Sequence, residues 1–62
     1  MAKELDAYDT VRVKAQDEEG EPKGEWYDTD VLRYLPDLGV FWVTGFLKAY
    51  KVSDEGKTWE RV

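Results

Sequence analysis

The side chains able to do chemistry in this sequence are carboxylates and aromatics. Fourteen Asp and Glu stand against nine Lys and Arg, with no histidine and no cysteine, for a net charge of −5. Without imidazole or thiol the commonest general base and the commonest transition-metal ligands are gone, and disulfides and thiolate zinc sites are excluded. Acid–base work would fall to carboxylates, Lys or Tyr. The densest carboxylates, Asp17, Glu18, Glu19 and Glu21, surround Gly20 in a polar stretch, where nothing apolar would lift a pKa toward neutrality. Their consecutive spacing does not supply the alternating ligands and distal Glu of a calcium loop. Gly20 and Gly24 lie among acids that would repel a phosphate. Ser53, the only serine, has no base beside it. The expectation is a binding protein, not an enzyme, with no cofactor and no metal.

The charge is unevenly placed, and its placement suggests what is bound. Asp17, Glu18, Glu19, Glu21, Glu25, Asp28 and Asp30 are opposed within residues 17–30 by Lys23 alone, whereas the rest of the chain is close to neutral. A dense acidic stretch interleaved with Trp26 and Tyr27 suits docking on a basic protein surface, steered at long range by its field. If that surface binds nucleic acid, the chain would act as an inhibitor that mimics phosphates. Acidic, cysteine-free proteins of about this length are common among inhibitors encoded by phages and mobile elements, which is an expectation from the class and not a resemblance carried by particular residues. The candidate partner-binding residues are therefore those seven acids with Trp26, Tyr27 and Tyr34. An alternative is a single-strand nucleic-acid binder that stacks bases on exposed aromatics and uses Lys48, Lys51, Lys57 and Arg61. Its basic groups are few for a mode that draws most of its affinity from phosphate neutralisation. A structural domain that self-associates, as a homodimer, is a third reading.

The elements that would carry these residues are mostly strands. Val11, Val13 and Ala15 alternate with Arg12, Lys14 and Gln16, the period of a half-buried strand over residues 10–16. The glycine- and proline-containing acidic run 17–24 reads as an exposed connection. A strand is expected over 25–29, then a short helical turn over 29–35 capped by Asp28 or Thr29. Pro36-Asp37-Leu38-Gly39 is a turn, and 40–44 is a central strand apolar on both faces. Gly45 marks a bend or bulge. Residues 46–52 fit a helix nearly as well as a strand, and strand is preferred because a hairpin follows, with strands over 49–53 and 58–62. Phe41, Trp42, Phe46 and Trp59 are the expected core; Trp26, Tyr27, Tyr34 and Tyr50 are expected to be partly exposed.

Two short stretches carry resemblances. Asp54-Glu55-Gly56-Lys57-Thr58-Trp59 resembles the Asp-box hairpin of sialidase-type propellers, with Val52 where that motif has Ser or Thr. It implies only a hairpin in which Asp closes the loop, Gly takes the turn and Trp packs beneath. Ala7-Tyr8-Asp9 and Glu25-Trp26-Tyr27 resemble short pieces of eukaryotic SH3 domains, although the Pro-x-Asn-Tyr segment of that family is missing. The second likeness implies architecture and not peptide binding. The expected fold is mostly β: a five-stranded curled sheet or SH3-like barrel over residues 9–62, preceded by a flexible lead-in over 1–8. A chain of 62 residues buries only roughly 60% of its unfolded surface, so its aromatics must hold the core. No apolar run approaches a membrane span or a signal peptide, and a cytoplasmic address is expected.

Overall fold

The computed structural model describes residues 5–62. Five antiparallel strands form one curled half-barrel sheet: β1 (Thr10–Gln16), β2 (Pro22–Leu35), β3 (Val40–Val43), β4 (Tyr50–Lys51) and β5 (Trp59–Arg61). Their order across the sheet is β4-β3-β2-β1-β5. The expectation of a mostly β fold built on a five-stranded curled sheet thus holds.

Alternation decides β1, where Val11 and Val13 are buried and Arg12 and Lys14 point outward. The connection to β2 is tighter than expected, because the strand begins at Pro22 rather than Glu25. The Asp17 N–H donates to the Glu21 carbonyl at 2.9 Å and the Gly20 N–H to the Asp17 carbonyl at 3.0 Å, with Gly20 at φ +82°. A left-handed residue in that turn favours glycine.

β2 is the long strand on which both halves of the sheet are built. It pairs with β1 from Pro22 to Asp30 and with β3 from Val31 to Leu35. The helical turn expected over 29–35 is therefore a correction: these residues are strand, and the one short helical turn is a 3-10 turn at Val52–Asp54. A bulge explains the misreading. Val31 lies opposite Val43 and Tyr34 opposite Phe41, with the register shifting between Val31 and Arg33. Leu32 is the extra residue, so two core-facing side chains fall three apart and imitate a helical period.

The C-terminal hairpin is also corrected. β4 pairs with β3 and β5 with β1, so these two strands lie at opposite edges of the sheet. The 3-10 turn and the tight loop carry the chain between them across the open seam. Within the loop the Asp54 carbonyl accepts the amides of Lys57 (2.8 Å) and Thr58 (3.2 Å), and Gly56 sits at φ +93°. Main-chain Asp54 thus closes the loop, and Trp59 packs beneath it, fully buried. The physical reason for the separation is Trp59. Its ring lies edge-on to Phe41 at 4.9 Å, and its indole Nε1 donates to the Lys51 carbonyl at 2.8 Å. A side chain fills the space that a hairpin ladder would need.

The core joins Leu5, Val11, Val13, Val31, Phe41, Val43, Tyr50 and Trp59, with Tyr34, Phe46 and Val52 packed against it. Phe41 is its centre, stacked on Tyr50 at 5.8 Å. Two expectations change here. Tyr50 is buried, with 1% of its surface exposed, and its hydroxyl donates to the Lys14 carbonyl. Trp42 alternates with the core-facing Phe41 and Val43 onto the outer face and is half-buried. At the N-terminal side, Leu5 is buried, and Tyr8 and Val31 tie residues 8–9 to β2 through Tyr8 N–H to Val31 carbonyl (2.6 Å) and Val31 N–H to Asp9 carbonyl (2.8 Å). Residues 1–4 of the expected lead-in lie outside the described residues. Among the described residues no helix is long and apolar enough to cross a membrane.

Candidate functional site

The acidic residues 17–30 fall on the β1–β2 hairpin, but they do not form one uniform face. Asp17 is spent on the turn: its Oδ1 accepts the amides of Glu19 and Glu21, both at 2.9 Å. Those backbone bonds, Glu21's first and Glu19's second, hold its carboxyl below the usual carboxylate value. Glu21 is paired with Lys57 at 2.7 Å, and the same contact raises the Lys57 ammonium above its ordinary value. Asp28 accepts from Arg12 Nε at 3.0 Å, with Glu60 flanking the same guanidinium at 3.8 Å. The Asp28 contact is the first cause of the upward shift of Arg12. Asp30 accepts from the Thr10 hydroxyl at 3.3 Å. Glu18, Glu19 and Glu25 are exposed and, among the described residues, take part in no ion pair.

The strand pleat sorts the rest. Arg12 lies opposite Asp28 and Thr10 opposite Asp30, so Asp28 and Asp30 stand on the outer face. Trp26 lies on the same side, where the Lys14 ammonium sits 5.0 Å from its ring. Tyr27 lies opposite the core residue Val13, on the inner side; half exposed, it packs against Phe46 at 5.9 Å. Tyr34 is set apart from the others, half-buried on the core beside Phe41 in the second half of β2.

The chain reading missed the segment that adjoins the acidic loop. A shallow acidic cleft over Asp17, Glu18, Glu19 and Lys23 and an apolar one over Ala15, Phe46 and Leu47 share Gln16 and Lys48 as a common wall. Lys48 Nζ donates to the Asp17 carbonyl and Gln16 Nε2 to the Ala49 carbonyl at 2.9 Å, which fixes the two clefts side by side. Leu47 is 98% exposed at the lip of the apolar one. Gly45 was the available signal, since a bend before Phe46-Leu47 turns one ring inward and leaves its neighbour outside.

The basic residues of the alternative reading are mostly engaged. Lys48 and Lys57 serve the β1–β2 hairpin, and Arg61 pairs with Glu55 at 3.1 Å while lying over Trp59. Among the described residues no three potential ligands converge as a metal site. The architecture is a small curled β half-barrel that presents one hairpin with unpaired acids and exposed aromatic surface. Compared with protein-family models, curated proteins and solved structures, the chain has no match.

Proposed function

We propose that this chain is a protein-binding module that docks on a basic partner surface through the β1–β2 hairpin and the adjoining Phe46–Leu47 lip. The observation that carries the reading is the asymmetry of neutralisation. The C-terminal cations Lys48, Lys57 and Arg61 are held by groups of the same chain, while Glu18, Glu19 and Glu25 project without an ion-pair partner. On the hairpin, what is left to act on a second molecule is mainly negative charge, with Lys23 the one cation among it, bordered by apolar surface. Charge of one sign on a hairpin steers encounter, and an exposed aliphatic or aromatic side chain beside it supplies the short-range anchor. A partner that uses its basic surface to hold phosphates would be inhibited by such docking. The nucleic-acid alternative loses support because Lys57 and Arg61 are paired with carboxylates and Lys48 is held by a carbonyl, which leaves Lys51 as its one exposed cation without a partner among the described residues.

The test is affinity capture from a cell extract with the wild-type chain and a Glu18→Gln/Glu19→Gln/Glu25→Gln variant, at low and raised salt. These three positions make no ion pair, so the variant keeps the fold. Basic proteins retained by the wild type at low salt are expected to be lost from the variant and from both at high salt. Equal retention on the two chains would overturn the reading.

A further inference from the structure

β2 leaves half of one edge open. Its first half pairs with β1, but β3 joins it only from Val31 onward, so beside residues 23–29 no strand of the described residues lies on the β3 side. The divergence point is Thr44, whose N–H donates to the Asp30 carbonyl at 3.1 Å and whose carbonyl accepts the Thr29 hydroxyl at 2.6 Å. Val31 spends its backbone N–H and C=O on the β1 side, toward Asp9 and Tyr8. By the alternation of an antiparallel ladder, Asp30 and Asp28 face the other way. The Asp30 carbonyl finds Thr44; the Asp28 N–H and C=O point to the open edge, and Trp26 follows by the same alternation where the bulge opposite Lys14 begins.

We propose that this edge accepts an extended segment of a partner protein in which cationic and apolar side chains alternate, added as a sixth strand. The proposal rests on the protein-binding reading above and names its occupant. A strand laid along this edge would share the pleat of β2. Side chains on the inner side would meet Tyr27 and Phe46, and those on the outer side would meet Trp26, Asp28 and Asp30. Apolar groups suit the first set, and Lys or Arg the second. A second copy of this chain is the wrong occupant. An antiparallel pairing of two such edges centred on this stretch would bring Asp28 and Asp30 beside the same acids of the other copy on the outer face, and like charges facing across strands are destabilising. Charges of one sign on an edge therefore deter self-pairing while admitting a basic strand.

The test uses synthetic peptides with the full chain: a short acetylated, amidated peptide alternating Lys and Val, and an isomer with its lysines and valines in separate blocks. Two further versions of the first are N-methylated on every lysine or on every valine. The alternating peptide is expected to bind at least about tenfold tighter than the block isomer and to slow hydrogen exchange of the Asp28 amide. One of the two N-methylated peptides should keep its affinity and the other lose it, because a strand pairs with one edge through alternate residues. If both isomers bind equally and both lose affinity for the Glu18→Gln/Glu19→Gln/Glu25→Gln variant, strand addition is overturned while acidic docking stands. No binding by any peptide overturns strand addition, and docking falls separately only if extract capture also shows no difference. Protection of Asp28 that grows with chain concentration in the absence of peptide assigns the edge to a second copy and overturns the proposal.

Discussion

Two buried hydroxyls in this core should respond to removal with opposite signs. Thr58 is fully buried, and its Oγ1 is the one buried side-chain polar atom without a hydrogen-bond partner among the described residues. Tyr50 is equally buried, but its hydroxyl donates to the Lys14 carbonyl. Thr58→Val keeps the β-branched shape and leaves the Lys14 N–H to Thr58 carbonyl bond (2.8 Å) intact. It removes a desolvated hydroxyl, a group whose burial without a partner costs about 1–3 kcal/mol. Part of that is offset by the imperfect match of methyl to hydroxyl, leaving an expected gain of about 1 kcal/mol. Tyr50→Phe keeps the ring on Phe41 but leaves the Lys14 carbonyl unsatisfied, for an expected loss of about 1 kcal/mol. In a domain this small each change corresponds to a shift of about 4–8 °C in Tm, upward for the first and downward for the second. Urea denaturation followed by circular dichroism reads both, with the midpoint moving and the slope constant. pH adds a further check on Tyr50. Burial raises its phenol above the ordinary value of 10.0, so the folded state favours the neutral form. That stability is present below the unfolded pKa and lost as pH rises through the folded one. The deficit of Tyr50→Phe should therefore shrink above pH 10.0. A Thr58→Val variant less stable than wild type by more than about 0.5 kcal/mol would refute the assignment of an unpartnered hydroxyl.

Two further outcomes test the hairpin. The depressed carboxyl of Asp17 contributes stability that is present above its ordinary pKa of 3.8 and lost as pH falls through the lower folded value; the Glu19 and Glu21 amides should lose exchange protection in that window, and Asp17→Asn should keep the loop at neutral pH while removing the titration. Arg12→Gln should leave the unfolding midpoint nearly unchanged, since its ion pairs are exposed and screened by solvent. By releasing Asp28 and Glu60 it should strengthen capture of basic proteins, and weakened capture measured by the same affinity assay would count against the electrostatic reading.

The sequence was most legible where alternation ran undisturbed. Val11 and Val13 declare β1, because a period of two needs only local residues to be seen; β3 was legible as a strand, but with apolar residues on both faces its inner side, Phe41 and Val43 rather than Trp42, was not. Legibility failed at bulges. Leu32 inserts one residue into β2 and turns a strand period into a helix-like one, and Gly24, at φ +85°, sits in the second irregularity, opposite Lys14. Both depend on which strand lies alongside, a long-range fact. The false hairpin has the same origin: strands 50–51 and 59–61 are close in sequence, but Phe41 and Trp59 decide that each pairs with a different neighbour. The acidic segment was legible as composition, whereas the division of its carboxylates into paired and unpaired depended on Arg12 and Lys57, which are distant in the chain.

The aromatic side chains separate by the fate of their polar ends, and this is what links stability to the binding surface. A buried Tyr or Trp must find a partner for its O–H or N–H, and Tyr50 and Trp59 do so on the Lys14 and Lys51 carbonyls. These two bonds also serve the fold, since one joins β4 to β1 and the other ties Trp59 back across the open seam of the half-barrel. Trp26 and Tyr27 have no such bond among the described residues and are exposed, as Tyr8 is nearer the N-terminal side. They flank the open edge of β2, one on each face, beside the acids that lack ion pairs. Leu47, almost wholly exposed, contributes nothing to the core. A domain this small gains no stability from leaving these side chains in water, so the position of Trp26 and Tyr27 along the open stretch of the β2 edge is the physical reason for proposing that stretch as a binding surface.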